Sequence, residues 1–320
     1  MKEINSYLIE KLKKDKNIDL NDSIINEYIK KEFLLNNKEY SKLKKHYLKL
    51  KEKENLEKIY FNSYFKFFLK LIKRRLNYHY LMFFNNSKEE RENFLNQYLK
   101  NKNLKSESKN NKTKEINEIS KNKDFIELLK THKSTYERLE YYDLIFKKIS
   151  SFFNFDKIDT IVDVACGYNP IIFSQYFKKK FYIYNDLSSF DINLIKKFLG
   201  SNNIKNYGFA LDIVFQKENF FSELKKFPLE NSIFLFLKAF DSFEDDKKNF
   251  SLELLKKIIL ELKAKNFIVS FPTVDLKNKP IFLNRRVWFL NFIQKNTQFK
   301  FAFESFEILN EIFFMIKVID

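Results

Sequence analysis

The sequence predicts an α/β protein: a seven-stranded, mostly parallel Rossmann-like sheet in its second part, preceded by an all-helical domain. Three observations carry this. After about residue 125, apolar runs of strand length alternate with helical segments, the pattern of a parallel sheet covered on both faces. Before that point, apolar positions recur at helical spacing with lysines between them. The chain also holds only 3 Gly and 4 Pro in 320 residues, which excludes collagen-like, glycine-repeat and proline-rich architectures and makes each glycine informative.

Taken in order, Tyr7, Leu8 and Leu12, then Ile24, Ile25, Tyr28 and Ile29, mark two helices, with Asp22 or Ser23 the expected cap of the second. Residues 60–84 are too long an apolar run for a strand and read as a helix carrying the basic cluster Lys70, Lys73, Arg74 and Arg75. Residues 101–123 are polar and low in complexity, a linker or loop. It divides a helical domain, 1–125, from a second domain, 126–320. There, strands are expected over 160–164, 181–184, 207–211, 232–237 and 266–270, with a closing hairpin over 299–307 and 312–318. Helices are expected from residue 171 and over 189–199, 245–264 and 284–295.

Composition narrows the function. Apolar residues make up 44% of the chain, enough for a real core. The net charge is +17 and uneven: residues 1–130 hold 31 basic and 19 acidic side chains, net +12, and the rest carry +5. A basic domain joined to a near-neutral one suggests a polyanion, most simply nucleic acid. The plainer alternative is lysine inflation from AT-rich coding. Cys166 is the only cysteine, so an intrachain disulfide and a cysteine-built zinc site are impossible. His46, His79 and His132 lack ligand spacing, and no metal is expected. No apolar run approaches the roughly 18 residues of a membrane span, and no signal-peptide region opens the chain; the expectation is a soluble, cytoplasmic protein.

The strongest motif is Ile161-Val162-Asp163-Val164-Ala165-Cys166-Gly167-Tyr168-Asn169-Pro170: an apolar strand, an acid, a small-residue turn, then a helix. Gly167 suits a turn whose backbone packs closely against a ligand. The further glycines of a dinucleotide fingerprint and a P-loop Gly-Lys-Ser/Thr are absent, which favours a cofactor without pyrophosphate. Asp186 ends the next strand, where an acid accepts ribose hydroxyls, and Asp212 follows the third, where a carboxylate accepts from an adenine amino group. With Asp163 near the methionine portion, three acids at consecutive strand ends fit S-adenosyl-L-methionine (SAM). Singly, each acid is better explained by structure, since strands commonly end in Asp.

Four segments resemble one family. His132-Lys133-Ser134-Thr135-Tyr136-Glu137-Arg138-Leu139 is similar to the His-x-Ser-Thr-x-Glu-Arg-Leu signature of the aminoglycoside-resistance type of 16S rRNA (guanine-N7) methyltransferases. Segments 164–170 and 235–244 resemble that family's Leu-Ala-Cys-Gly-Leu-Asn-Pro and Leu-Leu-Leu-Lys-Thr-Leu-Pro-Cys-Leu-Glu, and Val269-Ser270-Phe271-Pro272-Thr273 matches its Val-Ser-Phe-Pro-Thr. The resemblance implies that Arg138 holds the SAM carboxylate, that Ala165 and Gly167 line the cofactor turn, and that Lys238 and Glu244 sit beside the target base. It also implies a helical N-terminal extension that docks RNA, here on the small ribosomal subunit. Plainer alternatives are a surface ion pair for Arg138, a solvated strand end for Lys238 and a helix start for Glu244. After Thr273 the family has a glycine- and lysine/arginine-rich loop; here no glycine follows, and Arg285 and Arg286 are the candidate RNA contacts instead.

The chemistry narrows the target atom. Exocyclic-amine methylation usually goes with Asn/Asp-Pro-Pro-Tyr after the fourth strand, and Phe236-Leu237-Lys238-Ala239 stands there. Carbon-5 methylation of pyrimidines needs a nucleophilic cysteine, and Cys166 lies in the cofactor turn. Guanine N7 has an in-plane lone pair and no proton to remove, so positioning suffices. The class alternatives are methylation of tRNA or another structured RNA, and a non-catalytic RNA-binding relic.

Overall fold

The structure, a computed structural model, describes residues 2–14, 18, 20–106, 123–275 and 279–319. Its seven strands are β1 (Thr160–Val164), β2 (Phe181–Asp186), β3 (Asn206–Ala210), β4 (Ser232–Leu237), β5 (Asn266–Pro272), β6 (Lys300–Ile308) and β7 (Glu311–Ile319). They form one sheet in the order β3-β2-β1-β4-β5-β7-β6. The first five pair in parallel, and β7 runs antiparallel between β5 and β6. β1 and β4 are buried at every position, which is why they read as mostly apolar runs, with Asp163 the one charged residue among them. Strand order reverses between β1 and β4, and their carboxyl ends frame the crevice where such sheets bind ligands.

Side chains leave the strands alternately and feed two cores. Ile161, Tyr182, Tyr184, Ile233 and Leu235 face one way, Val162, Val164, Ile183, Phe234 and Phe236 the other. A third core, from Ile4 to Tyr80, belongs to helices α1 (Lys2–Lys13), α2 (Asp22–Leu35), α3 (Asn37–Glu52) and α4 (Ser63–His79). Helix α5 (Lys88–Ser106) belongs elsewhere: its Leu95 and Tyr98 pack with Phe125, Leu128 and Leu129 of α6 (Lys123–Lys130) on the α/β core. The helical body therefore ends near Tyr80 rather than at 125. Residues 101–106 are the last turns of α5, not linker; residues 107–122 of the expected linker lie outside the described residues.

Beyond α6 the chain forms α7 (Lys133–Glu137), α8 (Tyr142–Phe152), α9 (Asn169–Tyr176), α10 (Ser189–Ser201), α11 (Lys217–Leu224), α12 (Phe240–Asp246), α13 (Phe250–Leu262) and α14 (Val287–Lys295). Three expectations need correction. The helix expected over 245–264 is two, α12 and α13, separated at Asn249, whose backbone is left-handed (φ 63°). The long helix expected over 60–84 is α4 alone: the Asn62 side chain accepts from the Tyr64 and Phe65 N–H groups and starts it at Ser63. Helix α2 follows Asn21 with no side-chain cap; Asp22 is its first-turn acid. Among the described residues, no helix is long and apolar enough to cross a membrane, and no group of three side chains is arranged to hold a metal.

Candidate active site

A cleft with a cavity volume of about 110 Å³ opens at the carboxyl ends of β1 to β4. Ala165 and Gly167 line it after β1, Asn185, Asp186 and Leu187 at the end of β2, residues 211–214 after β3, and Lys238 and Ala239 after β4. Ser242, Phe243 and Asp246 of α12 close one side. Sequence reasoning missed four further lining residues, Tyr28, Tyr80, Phe83 and Phe84, which come from the N-terminal segment. His132 and Ser134 complete the lining; they lay inside the His-x-Ser-Thr signature, so a signal for them existed.

The turn after β1 is held in an uncommon backbone conformation, with Ala165 at φ 54° and Gly167 at φ 50°. Glycine is required at 167 twice over. An added Cβ would face a left-handed backbone and stand 2.4 Å from the His132 ring. The group that crowds this glycine is thus the His132 imidazole, not the ligand expected from sequence. His132 is buried, and desolvation, helped by Arg138 and Arg91, drives its pKa down to about 3. The ring is neutral, and its Nδ1 faces the hydroxyls of Thr135 (3.1 Å) and Ser134 (3.2 Å).

The cleft brings Asp186 and Asp212 together. Asp186 accepts from the Gly167 N–H (2.9 Å) and the Leu187 N–H (2.7 Å), so the acid fixes the glycine turn as well as facing the cleft. Asp212 accepts from the Val214 (2.9 Å) and Phe215 (3.2 Å) N–H groups and from the Tyr28 hydroxyl. Burial lifts both carboxyls to about 6, against those hydrogen bonds. Asp163 lies below the turn, 1% exposed, and neither carboxylate oxygen has a hydrogen-bond partner. Burial pushes its pKa well up, opposed by nearby Arg138. A buried, unpartnered carboxyl is costly in a folded chain. Cys166 is buried with its thiol pushed well up by desolvation, the opposite of an activated nucleophile.

Arg138 is buried just behind the lining. Its Nε and Nη2 form a two-bond pair with Glu311 (2.8 Å each), and its Nη1 donates to Asn169 Oδ1 (3.1 Å). Glu311, which sequence reasoning missed, also accepts from the Ser270 hydroxyl and stands 3.4 Å from Lys238 Nζ. Lys238 lines the cleft with a left-handed backbone (φ 58°), held by its N–H against the Ser270 side chain (3.0 Å) and carbonyl (3.2 Å). Its Nζ pairs with Glu137 (2.9 Å). A non-glycine residue held in that region at a cleft is a mark of function. Glu244 departs from expectation. It is absent from the lining, and its carboxylate accepts from the Asn249 and Ser251 N–H groups, capping α13.

The basic candidates divide. Lys70 and Arg74 are exposed on α4 and Lys73 is half-buried. Arg75 is turned inward, bonded to Glu32 (2.6 Å) and Asp246 (3.1 Å), and so joins α4 to α12. Arg285 is exposed, whereas Arg286 is buried against the Phe271 ring, 4.9 Å to its centroid, and pairs with Asp241. Arg75 and Arg286 are thus paired within the protein, whereas Lys70, Arg74 and Arg285 are exposed.

The sequence model of the ribosomal RNA methyltransferase family FmrO matches residues 123–315, more than half of the chain. The chain belongs to that family. All four resembling segments lie within the match. Among solved structures, the FmrO-family chain is similar to the 16S rRNA methyltransferase RmtF in complex with S-adenosyl-L-homocysteine, with 17% identity, both chains fully covered and a TM-score of 0.68. An rRNA methylase from Escherichia coli follows at 17% identity, with 98% of this chain and 99% of that one covered and a TM-score of 0.63. The 16S rRNA methylase RmtB matches at 18% identity, 98% of each chain and a TM-score of 0.62. At such identities these likenesses establish the shared fold, N-terminal helices included. A search of curated proteins gives no match.

Proposed function

We propose that this member of the ribosomal RNA methyltransferase family uses SAM to methylate guanine N7 in small-subunit rRNA. The observation that carries the cofactor is the set of acids at the strand ends: Asp186 and Asp212 on the cleft lining, and behind it Asp163, a buried carboxyl with both oxygens unpartnered and Asp186 among its charged neighbours, fit a ligand with one ammonium and several hydroxyl and amino donors. RmtF, of the same fold, is described with S-adenosyl-L-homocysteine, the demethylated cofactor. In this reading Asp163 faces the methionine ammonium, Arg138 its carboxylate, Asp186 the ribose and Asp212 the adenine amine. The cofactor supplies a methyl group on a positively charged sulfur.

Lys238 is the only lysine or arginine on the cleft lining among the described residues. Its ammonium is suited to donate to O6 beside N7, the guanine edge that cationic side chains read in duplexes. N7 attacks through its own lone pair, so no base has to take a proton. The residues instead hold the two reactants in line, the larger part of such a barrier.

The test maps products. RNA from cells with and without the gene is treated with borohydride and aniline, which cleaves the chain at 7-methylguanosine. A gene-dependent cleavage in small-subunit rRNA is expected. A methyl group on adenosine or ribose instead would exclude the N7 assignment, and cleavage confined to tRNA would exclude the ribosomal target. Lys238→Ala is expected to lower kcat with cofactor affinity nearly unchanged, because its contact is to the base.

A further inference from the structure

Helix α2 sits far from the catalytic half in sequence, yet it and the residue before it are fastened to two loops and a helix that build the cleft. Before it, Leu20 forms an antiparallel bridge with Ser188, two residues beyond Asp186. In its middle, Tyr28 hydrogen-bonds Asp212 and packs edge-on against Phe215, with ring centroids 5.6 Å apart. One turn on, Lys31 bonds both the Asp246 carboxylate (2.5 Å) and its carbonyl (3.0 Å). The loops after β2 and β3 and the helix after β4 are thus braced by one N-terminal helix. Tyr28 is 1% exposed and lies on the cleft lining beside the acid it contacts.

We propose that α2 is part of the cofactor site, and that Tyr28 is a positioning residue that aims the Asp212 carboxylate at the adenine amino group. The proposal deepens the SAM reading and rests on it. Three donors hold Asp212: two backbone N–H groups of its own loop and the Tyr28 hydroxyl from the other domain. The two backbone bonds both reach Oδ1, and of the three donors the tyrosine hydroxyl is the one from outside the loop. A carboxylate fixed in this way offers its free lone pair in one direction. That direction matters for a base edge, where a donor (the adenine amine) is accepted and an acceptor (a carbonyl) is repelled. Tyr28 therefore acts on base discrimination, through Asp212, without touching the reacting atoms. The N-terminal body is accordingly not a detachable RNA handle, and cofactor binding depends on it.

The experiment is calorimetry on the full-length chain with two probes, S-adenosyl-L-homocysteine and S-inosyl-L-homocysteine. The second carries a carbonyl in place of the amine. Wild type is expected to prefer the adenosyl compound. Tyr28→Phe removes one hydroxyl and keeps the ring; it should weaken adenosyl binding on the order of tenfold, the scale of a lost bond to a charged group. It should also shrink the ratio between the two probes. Lys31→Met loosens the same helix at Asp246 and should leave that ratio as in wild type. The ratio separates aim from general loosening, since a merely structural defect lowers both affinities together. A Tyr28→Phe ratio equal to wild type overturns the proposal, as does an equal loss of ratio in Lys31→Met. Failure of wild type to bind the adenosyl probe overturns the SAM reading itself, and this inference with it.

Discussion

Asp163 holds the clearest tension in the molecule. Its folded-state pKa lies well above the ordinary value because burial disfavours the charged form, with only Arg138 opposing. A raised carboxyl pKa means the folded chain binds the proton more tightly than the unfolded chain. The stability this confers is complete below an unfolded value near 4 and is lost as pH rises through the folded value. Asp163→Asn abolishes that titration. The difference in Tm, variant minus wild type, is expected to grow as pH is raised from about 4 to 8; a difference flat with pH would show Asp163 ionised at no cost. Gly167→Ala is expected to destabilise by about 2 kcal/mol or more, from the left-handed backbone and the His132 clash together, seen as a drop in the urea midpoint. The strand-end acids were legible because an acid after an apolar run is a local pattern. Glu311 was not: its partner Arg138 is 173 residues away, and nothing near Glu311 in sequence announces the pair.

At the scale of elements, β1 and β4 were legible because fully buried parallel strands leave mostly apolar runs. Helix ends were less so. The break between α12 and α13 covers residues 247–249, with Lys247 extended (φ −150°) and Asn249 left-handed (φ 63°), a conformation that asparagine tolerates but does not announce. Glu244 takes its place from that break. By accepting from the Asn249 and Ser251 N–H groups, it satisfies donors at the start of α13 that have no partner within the helix. Glu244→Ala is expected to cost about 1 kcal/mol, the usual scale of a lost N-terminal cap, read as a lower Tm. Cofactor affinity and kcat should stay close to wild type. A large fall in kcat with an unchanged Tm would return Glu244 to the target-base site that the family resemblance implied.

For the whole molecule, the domain division was legible in charge and misplaced in position. The N-terminal excess of lysine is real, but it straddles the boundary near Tyr80, and α5 serves the catalytic core despite its polar sequence. Nor did charge distinguish exposed cations from cations paired within the protein. Lys70 and Arg74 are exposed on α4, while Arg75 on the same helix is committed to Glu32 and Asp246. These two classes respond to different measurements. Each phosphate contact contributes about 0.7–0.9 to the slope of log affinity against log salt, so Lys70→Ala with Arg74→Ala should flatten the slope by roughly 1.5. Their Tm should scarcely move, since exposed substitutions usually stay within about 0.5 kcal/mol. Arg75→Ala should do the reverse. It leaves Glu32 and Asp246 short of a partner at a half-buried junction, which lowers Tm, while the salt slope of the protein that remains folded is kept. Filter-binding titrations of small-subunit rRNA over a salt series, beside thermal melts of the same three proteins, decide the matter. An unchanged slope in the Lys70/Arg74 double variant would move the RNA-facing surface off α4, and a flattened slope in Arg75→Ala would mean that the junction with α12 opens when RNA binds.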